Sequence, residues 1–193
     1  MNFIEIGSCD YDTILHSKYF TDDGWGVIVE PVLKYFKNLP RYQNVIYLNC
    51  AVTANQDEIL DFYAPVEHPS PHWVKSVGSL HPNHPTLDYL GITEQTTKIQ
   101  VNAISLETLY NHIPENKIHI LKLDTEGTDF EILSHWDFEK FQPKQIQFET
   151  KLMSNKQLID IKHRLQLFGY CVCAGVKKDY NQVPYNHIAV LEL

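Results

Sequence analysis

Short apolar runs alternate with stretches of helical periodicity over the first 50 residues, and this alternation constrains the fold more than any single motif. The runs at residues 3–7, 27–30 and 45–48 predict buried strands. Amphipathic helices are predicted between them, the first over about residues 10–19 and the second starting at Pro31. Largely apolar strands that alternate with helices form parallel sheets covered on both faces. The sequence therefore predicts an α/β, Rossmann-like fold.

The rest of the chain continues this pattern after one interruption. Further strands are predicted at residues 58–63, 98–103, 118–123, 145–149, 170–174 and 187–193. Further helices are predicted at residues 105–113, 127–136 and 154–169, the last opened by a capping box of Ser154 and Gln157. A length of 193 residues, with 44% hydrophobic and 21% charged residues, fits one globular core. We therefore interpret residues 1–193 as a single domain.

A segment rich in proline and histidine interrupts the pattern at about residues 63–98. Proline fixes φ and lacks a backbone donor, so regular structure cannot extend through this segment. Long loops in compact domains are commonly functional, and we interpret this one as an insertion over the active site. A histidine on such a loop could reach the substrate as a general base when the loop closes. The candidates for substrate binding are His68, His72, Trp73, His81 and His84.

No metal ligand is assigned within the insertion. Pro82 prevents the helical spacing that would make His81 and His84 a good ligand pair, and no third ligand is specified. The four cysteines match no zinc-binding pattern. A divalent ion among Asp124, Glu126 and Glu149 stays open.

Charge and hydropathy exclude several classes of partner. The formal net charge is −8 and no basic stripe is present, so nucleic acid is not an expected partner. The sequence contains no membrane-length apolar run and no signal peptide, which predicts a cytoplasmic protein without membrane contact. A homo-oligomer is compatible with this composition.

Carboxylates gather where the predicted parallel strands end, which is where ligands bind in open α/β sheets. The turn after the first strand has one glycine, Gly7, and lacks the G-x-G-x-x-G pattern that binds a pyrophosphate. Asp10 and Asp12 in that turn would repel a phosphate group. S-adenosylmethionine carries no phosphate, and its sulfonium and ammonium groups outweigh its carboxylate. The sequence therefore favours S-adenosylmethionine over a dinucleotide.

Each part of that cofactor can be given candidate contacts. Glu30 ends the second strand and can accept hydrogen bonds from both ribose hydroxyls. Asn49 and the backbone of Cys50 and Ala51 can meet the adenine, and the acidic first turn suits the positive charge. The predicted cofactor-binding residues are Glu5, Gly7, Ser8, Cys9, Asp10, Glu30, Pro31, Asn49, Cys50, Ala51 and Asp124.

These residues, in this order and spacing, resemble the FkbM-type methyltransferases. The most specific element is the D-T-E-G-x-D-x-E-I-L string at residues 124–133. The other matching segments are Ile4-Glu5-Ile6-Gly7, Val29-Glu30-Pro31, Asn49-Cys50-Ala51-Val52 and Phe148-Glu149. The resemblance implies the class I methyltransferase sheet of seven mostly parallel strands with an antiparallel last strand. It also implies O-methylation of a hydroxyl on a sugar or another small molecule, and hence a carbohydrate as the leading acceptor.

Methyl transfer needs the acceptor oxygen, the methyl carbon and the sulfur nearly collinear, and a hydroxyl acceptor benefits from a base. We predict that Asp124 lies nearest the reacting methyl group and that Glu126 or Glu149 accepts the proton. Asp129 and Glu131 are interpreted as a solvated first turn of a helix.

Three other functional classes stay open. Tyr11 stands where many relatives have a second glycine, and the chain starts without the helix that often covers the cofactor. Both departures are compatible with a non-catalytic binding module. A nucleotide-binding oxidoreductase is disfavoured by the missing glycine pattern. A nucleic-acid methyltransferase is disfavoured by the absence of an aromatic and basic stripe and of the N/D-P-P-Y/F motif.

Overall fold

The computed structural model describes residues 1–11, 13–16, 20, 23–55, 57–65, 74, 76–174 and 186–191. Within them the strands are β1 (Phe3–Ile6), β2 (Gly26–Val29), β3 (Val45–Leu48), β4 (Ala51–Thr53), β5 (Glu58–Ala64), β6 (Thr97–Ser105), β7 (Ile120–Leu123), β8 (Gln145–Glu149), β9 (Tyr170–Ala174) and β10 (Asn186–Leu191).

The α-helices of the described residues are short, apart from one. They are α1 (Leu33–Asn38), α2 (Pro85–Tyr89), α3 (Leu106–Tyr110), α4 (Asp129–His135) and α5 (Asn155–Leu167). The predicted capping box at the start of α5 is confirmed, because Ser154 and Gln157 satisfy each other's backbone N–H groups. None of these helices has the length and hydropathy needed to cross a membrane.

Seven strands form the main sheet in the order β3-β2-β1-β7-β8-β10-β9. The strands β3, β2, β1, β7 and β8 pair in parallel, and β10 lies antiparallel between β8 and β9. The predicted Rossmann-like sheet with an antiparallel last strand is therefore confirmed. The strand order reverses at β1, and the loops after β1 and β2 diverge there from the loop after β7, which opens a crevice.

Both faces of this sheet are buried, as the apolar runs predict. Ile4 and Ile6 face a large core that includes α4 and α5, whereas Phe3 and Ile28 face a second core on the opposite side. The large core is centred on Trp136, which is fully buried and donates its indole N–H to the Phe141 carbonyl at 2.8 Å. A buried tryptophan with a satisfied N–H anchors the end of α4 against the sheet.

A second, three-stranded sheet of order β4-β6-β5 stands beside the main one. The predicted strands at 58–63 and 98–103 are found there as β5 and β6, which pair antiparallel along seven residues. Strand β4 follows β3 after two residues and pairs in parallel with β6. Residues 50 and 51 therefore lie where the chain passes from one sheet to the other, instead of in a plain loop.

The insertion contains one short helix and a bridge to β5. Pro85 is the first residue of α2, a position where proline is favoured because its missing N–H is not needed. His84 caps this helix by accepting a hydrogen bond from the Thr86 N–H. Ser79 exchanges backbone hydrogen bonds with Tyr63, which holds the segment against β5.

The prediction of a helix over about residues 10–19 is wrong. Only a 3₁₀ turn at Ile14–His16 occurs in the predicted 10–19 range, of which residues 12 and 17–19 lie outside the described part of the chain. Thr13 and Ile14 bind the buried Glu5 carboxylate at 2.6 and 2.9 Å instead of continuing a helical ladder. A tertiary hydrogen bond thus overrides the local helical periodicity.

Two leucines of α5 test how far the large core determines stability. Leu165 is fully buried and Leu167 is 72% exposed, and both stand on the same helix. We expect Leu165→Ala to lower the free energy of unfolding by about 2–5 kcal/mol, because it leaves a cavity. The change for Leu167→Ala should stay within about 0.5 kcal/mol. Urea unfolding of both variants measures the difference, and equal losses would contradict the assigned helix face.

Gly7 brings the ends of β1 and β7 into close contact. Its φ is +83°, and a Cβ atom at this position would lie 2.0 Å from the Asp124 carbonyl oxygen. Gly91 has a similar φ of +67° but faces open space. The two glycines therefore separate the effect of backbone conformation from the effect of close packing.

We expect Gly91→Ala to lower the free energy of unfolding by about 1–2 kcal/mol, the left-handed penalty alone. Gly7→Ala adds a steric clash and should lower it by about 3 kcal/mol or more. Thermal and urea unfolding provide the measurement. If Gly7→Ala were no worse than Gly91→Ala, the close approach of β1 to β7 would be refuted.

Candidate active site

A cleft of about 760 Å³ opens at the C-terminal ends of β1, β2 and β7. Gly7, Glu30 and Asp124 line it from the main sheet, and Ala51 and Phe62 line it from the second sheet. The cleft coincides with the point where the strand order reverses, which is the usual ligand site of such sheets.

Most of the predicted cofactor residues meet in this cleft. Those that line it are Gly7, Ser8, Cys9, Glu30, Pro31, Cys50, Ala51 and Asp124. Glu5, Asp10 and Asn49 do not belong to its lining. The parallel register explains the convergence, because Ile6 of β1 is level with Val29 of β2 and Leu123 of β7.

Glu5 is fully buried, and its carboxylate is engaged by the protein. It accepts hydrogen bonds from the Thr13 hydroxyl and the Ile14 N–H, and it forms a salt bridge of 2.9 Å with Lys122 of β7. The carboxylate therefore ties the segment after β1 to the neighbouring strand.

Asp10 and Asn49 form hydrogen bonds that hold the loops bordering the cleft. The Asp10 carboxylate accepts a hydrogen bond of 2.9 Å from the Asn38 side chain at the end of α1. The Asn49 amide donates to the carbonyls of Glu30 and Pro31 at 2.8 and 3.1 Å. These contacts fix the loops after β1 and β2.

Glu30 is 4% exposed and reaches into the loop after β1. Its carboxylate accepts hydrogen bonds from the Cys9 N–H at 2.7 Å and the Val32 N–H at 2.8 Å. Burial raises the pKa of Glu30 to about 7, although these two hydrogen bonds act in the opposite direction. The cleft therefore holds a buried carboxyl group that changes charge near neutral pH.

Ser8 contributes a polar atom that the protein does not satisfy. Its side-chain oxygen is buried at the cleft and has no hydrogen-bond partner among the described residues. Buried polar atoms are normally paired, so this oxygen is suited to meet a polar group of a ligand.

Asp124, Glu126 and Glu149 form an acidic cluster at the adjoining ends of β7 and β8. One oxygen of each carboxylate lies within 4.8 Å of the others. Glu126 adopts a φ of +52°, in the turn between β7 and α4. Burial raises the pKa of Glu149 well above its usual range, and the charges of Glu126 and Asp124 raise it further.

The acidic cluster lies between two clefts. Asp124 lines the large cleft, whereas Glu149 lines a smaller one of about 230 Å³ next to the starts of α4 and α5. Phe130, Leu152 and Met153 give this smaller cleft an apolar wall. The cluster can therefore face ligands from two sides.

The prediction that Asp129 belongs to a solvated helix start is wrong. Asp129 is 2% exposed and accepts hydrogen bonds from the Thr125 N–H and from the Glu149 N–H, at 3.1 and 2.9 Å. Its carboxylate also contacts the Thr125 hydroxyl. Burial raises its pKa. Asp129 thus connects the turn after β7 to the end of β8, whereas Glu131 is half-buried and accepts a hydrogen bond from the Ala54 N–H.

Part of the insertion contacts the acidic cluster directly. The Ser79 hydroxyl donates to the Glu126 carbonyl at 2.6 Å, and the exposed His81 lies beside Gly127. His84 is 1% exposed, and its Nε2 lies 2.9 Å from Glu126 Oε2 without the geometry of a hydrogen bond. The other three predicted substrate-binding residues, His68, His72 and Trp73, lie outside the described residues.

Sequence reasoning missed several residues of the large cleft. They are Tyr11, Val32, Tyr35, Phe62, Ser76, Gly78, Leu80, Lys122, Thr125 and Thr128. Many of them come from α1, β5 and the insertion, so they enter the cleft only through the packing of the second sheet. Phe62 could have been proposed from the sequence, because it is one of the apolar residues of the strand predicted at 58–63.

Comparison with known proteins identifies a family for this chain. The model of the methyltransferase FkbM domain matches residues 5–172. A search of curated proteins finds no match to the sequence. Among solved structures, the precorrin-6y C5,15-methyltransferase from Geobacter metallireducens GS-15 is similar over 100% of this chain and 80% of its own, with 11% identity and a TM-score of 0.45. This structural similarity is too low to support a conclusion, whereas the family match covers most of the chain. The chain therefore belongs to the FkbM methyltransferase family.

Proposed function

We propose that this methyltransferase uses S-adenosylmethionine to methylate a hydroxyl oxygen of a small molecule, with a sugar as the leading acceptor. The observation that carries the proposal is the large cleft, in which the buried Glu30 lies at one strand end and Asp124 of the acidic cluster at another. This arrangement offers a site for a cationic cofactor beside a group that can accept a proton.

The residues of the cleft fit S-adenosylmethionine better than a phosphate-bearing cofactor. Glu30 is fixed by two backbone N–H groups and retains lone pairs for ribose hydroxyls. The unpaired Ser8 oxygen can meet a polar group of the same ligand, and Cys50 and Ala51 flank a position for the adenine. Asp124 adds negative charge where the sulfonium would lie.

S-adenosylmethionine, when bound, supplies a methyl group activated by a positively charged sulfur. The protein has to orient the acceptor and remove its proton. In this proposal Asp124 lies nearest the methyl group and Glu126 or Glu149 accepts the hydroxyl proton, with Glu126 preferred because the raised pKa of Glu149 favours its protonated form.

The same proposal includes a cytoplasmic location, a single domain and an acceptor-facing insertion at about residues 63–98. The net charge of −8 supports a small, uncharged acceptor over a nucleic acid. The contacts of Ser79 and His84 with Glu126 support a role of the insertion near the acceptor.

Cofactor binding can be tested by isothermal titration with S-adenosylhomocysteine at several pH values. Hydrogen bonds from the ribose favour the ionised form of Glu30, so binding lowers the pKa of this group below its starting value of about 7. The affinity for S-adenosylhomocysteine should therefore be constant above about pH 7. Below that pH it should fall by about tenfold per pH unit, until the pKa of Glu30 in the bound state is reached.

The variant Glu30→Ala should bind weakly and lose the pH dependence, whereas the exposed Glu58→Ala should behave as the wild type. Circular dichroism confirms that both are folded. Folded wild-type protein that binds neither S-adenosylhomocysteine nor S-adenosylmethionine would reject the cofactor and favour a non-catalytic module. Binding that ignores pH would reject the role of Glu30 alone.

Turnover can be tested separately with Glu126→Gln. We expect this variant to lose at least about a hundredfold in methyl transfer, because the amide cannot accept the proton. Its affinity for S-adenosylhomocysteine should be unchanged. Transfer of labelled methyl groups to a panel of hydroxyl compounds, beginning with sugars, provides the assay, and Glu131→Gln on the following helix is the matched control. Undiminished turnover in Glu126→Gln would exclude it as the base.

A further inference from the structure

We propose that Asp124, Glu126 and Glu149 bind a divalent cation of the magnesium or manganese type, which holds the oxygen of the methyl acceptor. This inference rests on the proposed methyl transfer for its catalytic meaning, but the binding site stands on the geometry alone.

The three carboxylates converge from two neighbouring strand ends. One oxygen from each falls within 4.8 Å of the other two, a spacing that places all three around a common point. The Oε2 atoms of Glu126 and Glu149 are buried and have no hydrogen-bond partner among the described residues. Three carboxylates this close, and shielded from water, can all be ionised at once only when a positive charge lies between them.

His84 supplies an independent observation from another part of the chain. It comes from the insertion, is 1% exposed, and directs its Nε2 at the cluster, 2.9 Å from Glu126 Oε2. That nitrogen has no hydrogen-bond partner among the described residues.

The tautomer of His84 defines its part in the site. Its Nδ1 accepts a hydrogen bond from the Thr86 N–H, which leaves the proton of the neutral ring on Nε2. His84 is therefore not a ligand of the cation. In the proposed site, Nε2–H would turn onto the Glu126 carboxylate, 2.9 Å away, and orient it from the outer sphere, an arrangement that commonly supports metal ligands in proteins.

The turn that carries Glu126 is held from several sides. The Ser79 hydroxyl donates to the Glu126 carbonyl, and Asp129 accepts from the N–H groups of Thr125 and Glu149. The carboxylates thus start from backbone positions that are already fixed, and a cation would need little rearrangement to collect them.

Three carboxylates without a nitrogen or sulfur ligand select a hard cation. Magnesium and manganese prefer oxygen ligands and retain open positions for water or a substrate oxygen, whereas zinc prefers histidine and cysteine. Bound at the edge of the large cleft, the cation would coordinate an acceptor hydroxyl and lower its pKa.

The methyl transfer needs no oxidant or reductant. The acceptor hydroxyl gives its proton to a carboxylate of the cluster, and an oxygen lone pair forms the bond to the methyl carbon. The carbon–sulfur bond breaks with its electron pair remaining on sulfur, which releases S-adenosylhomocysteine.

The test is direct binding of manganese to the full chain after treatment with a chelator, measured by electron paramagnetic resonance and by isothermal titration. We expect one ion per chain. Glu149→Gln should weaken binding by more than tenfold, and His84→Asn by about tenfold as an outer-sphere change. Glu139→Gln, which alters an exposed glutamate between α4 and β8, should bind as the wild type.

S-adenosylhomocysteine is titrated into the same samples, which separates the two proposals. If the wild type binds this ligand but no manganese at millimolar concentration, the metal site is overturned and the cofactor proposal stands. If the wild type binds manganese but not S-adenosylhomocysteine, the metal site stands and the cofactor proposal is overturned. Equal manganese binding by the wild type and Glu149→Gln overturns the assigned ligands. Methyl transfer that survives complete chelation overturns the catalytic role.

Discussion

The contact between Gly7 and the Asp124 carbonyl is the constraint on which the site depends. A side chain at position 7 would force β1 and β7 apart at their C-terminal ends, where a single hydrogen atom now separates the two backbones. Because β1 lies in the middle of the parallel strands, its end sets the distance between the loop after β2 and the turn after β7. The Glu30 carboxylate and the acidic cluster occupy one region for this reason.

The buried carboxylates fall into two groups, according to whether protein donors satisfy their oxygen atoms. Glu5 and Asp129 are satisfied by protein donors and connect neighbouring segments, so they behave as parts of the scaffold. Glu126 and Glu149 each keep a buried oxygen without a hydrogen-bond partner among the described residues, although that of Glu126 lies 2.9 Å from His84 Nε2, and Glu30 keeps lone pairs beyond its two backbone bonds. The division follows from the hydrogen-bond donors nearby, because Glu5 and Asp129 each have several protein donors within reach and the side chains of Glu126 and Glu149 do not.

The sequence was sufficient to predict the main sheet, because its strands are apolar on both faces and this pattern has few alternatives. It also located most of the cofactor candidates, since strand ends meet at one edge of a parallel sheet. It could not separate Glu5 from Glu30, because a carboxylate enclosed by protein donors and one that lines a cleft look alike in the sequence. The strands β5 and β6 were predicted, but their separate sheet and β4 were not, because β4 has three residues and gains its partner only through tertiary packing.

The antiparallel pairing of β5 with β6 places the insertion on a closed hairpin base. Segments attached in this way can change in length or composition without disturbing the register of the strands that carry them. Gly7 and Glu30 follow β1 and β2, which belong to a different sheet. Under the proposed function, one acceptor can therefore be exchanged for another by rewriting residues between β5 and β6, while the positions of Gly7 and Glu30 at the ends of β1 and β2 are kept.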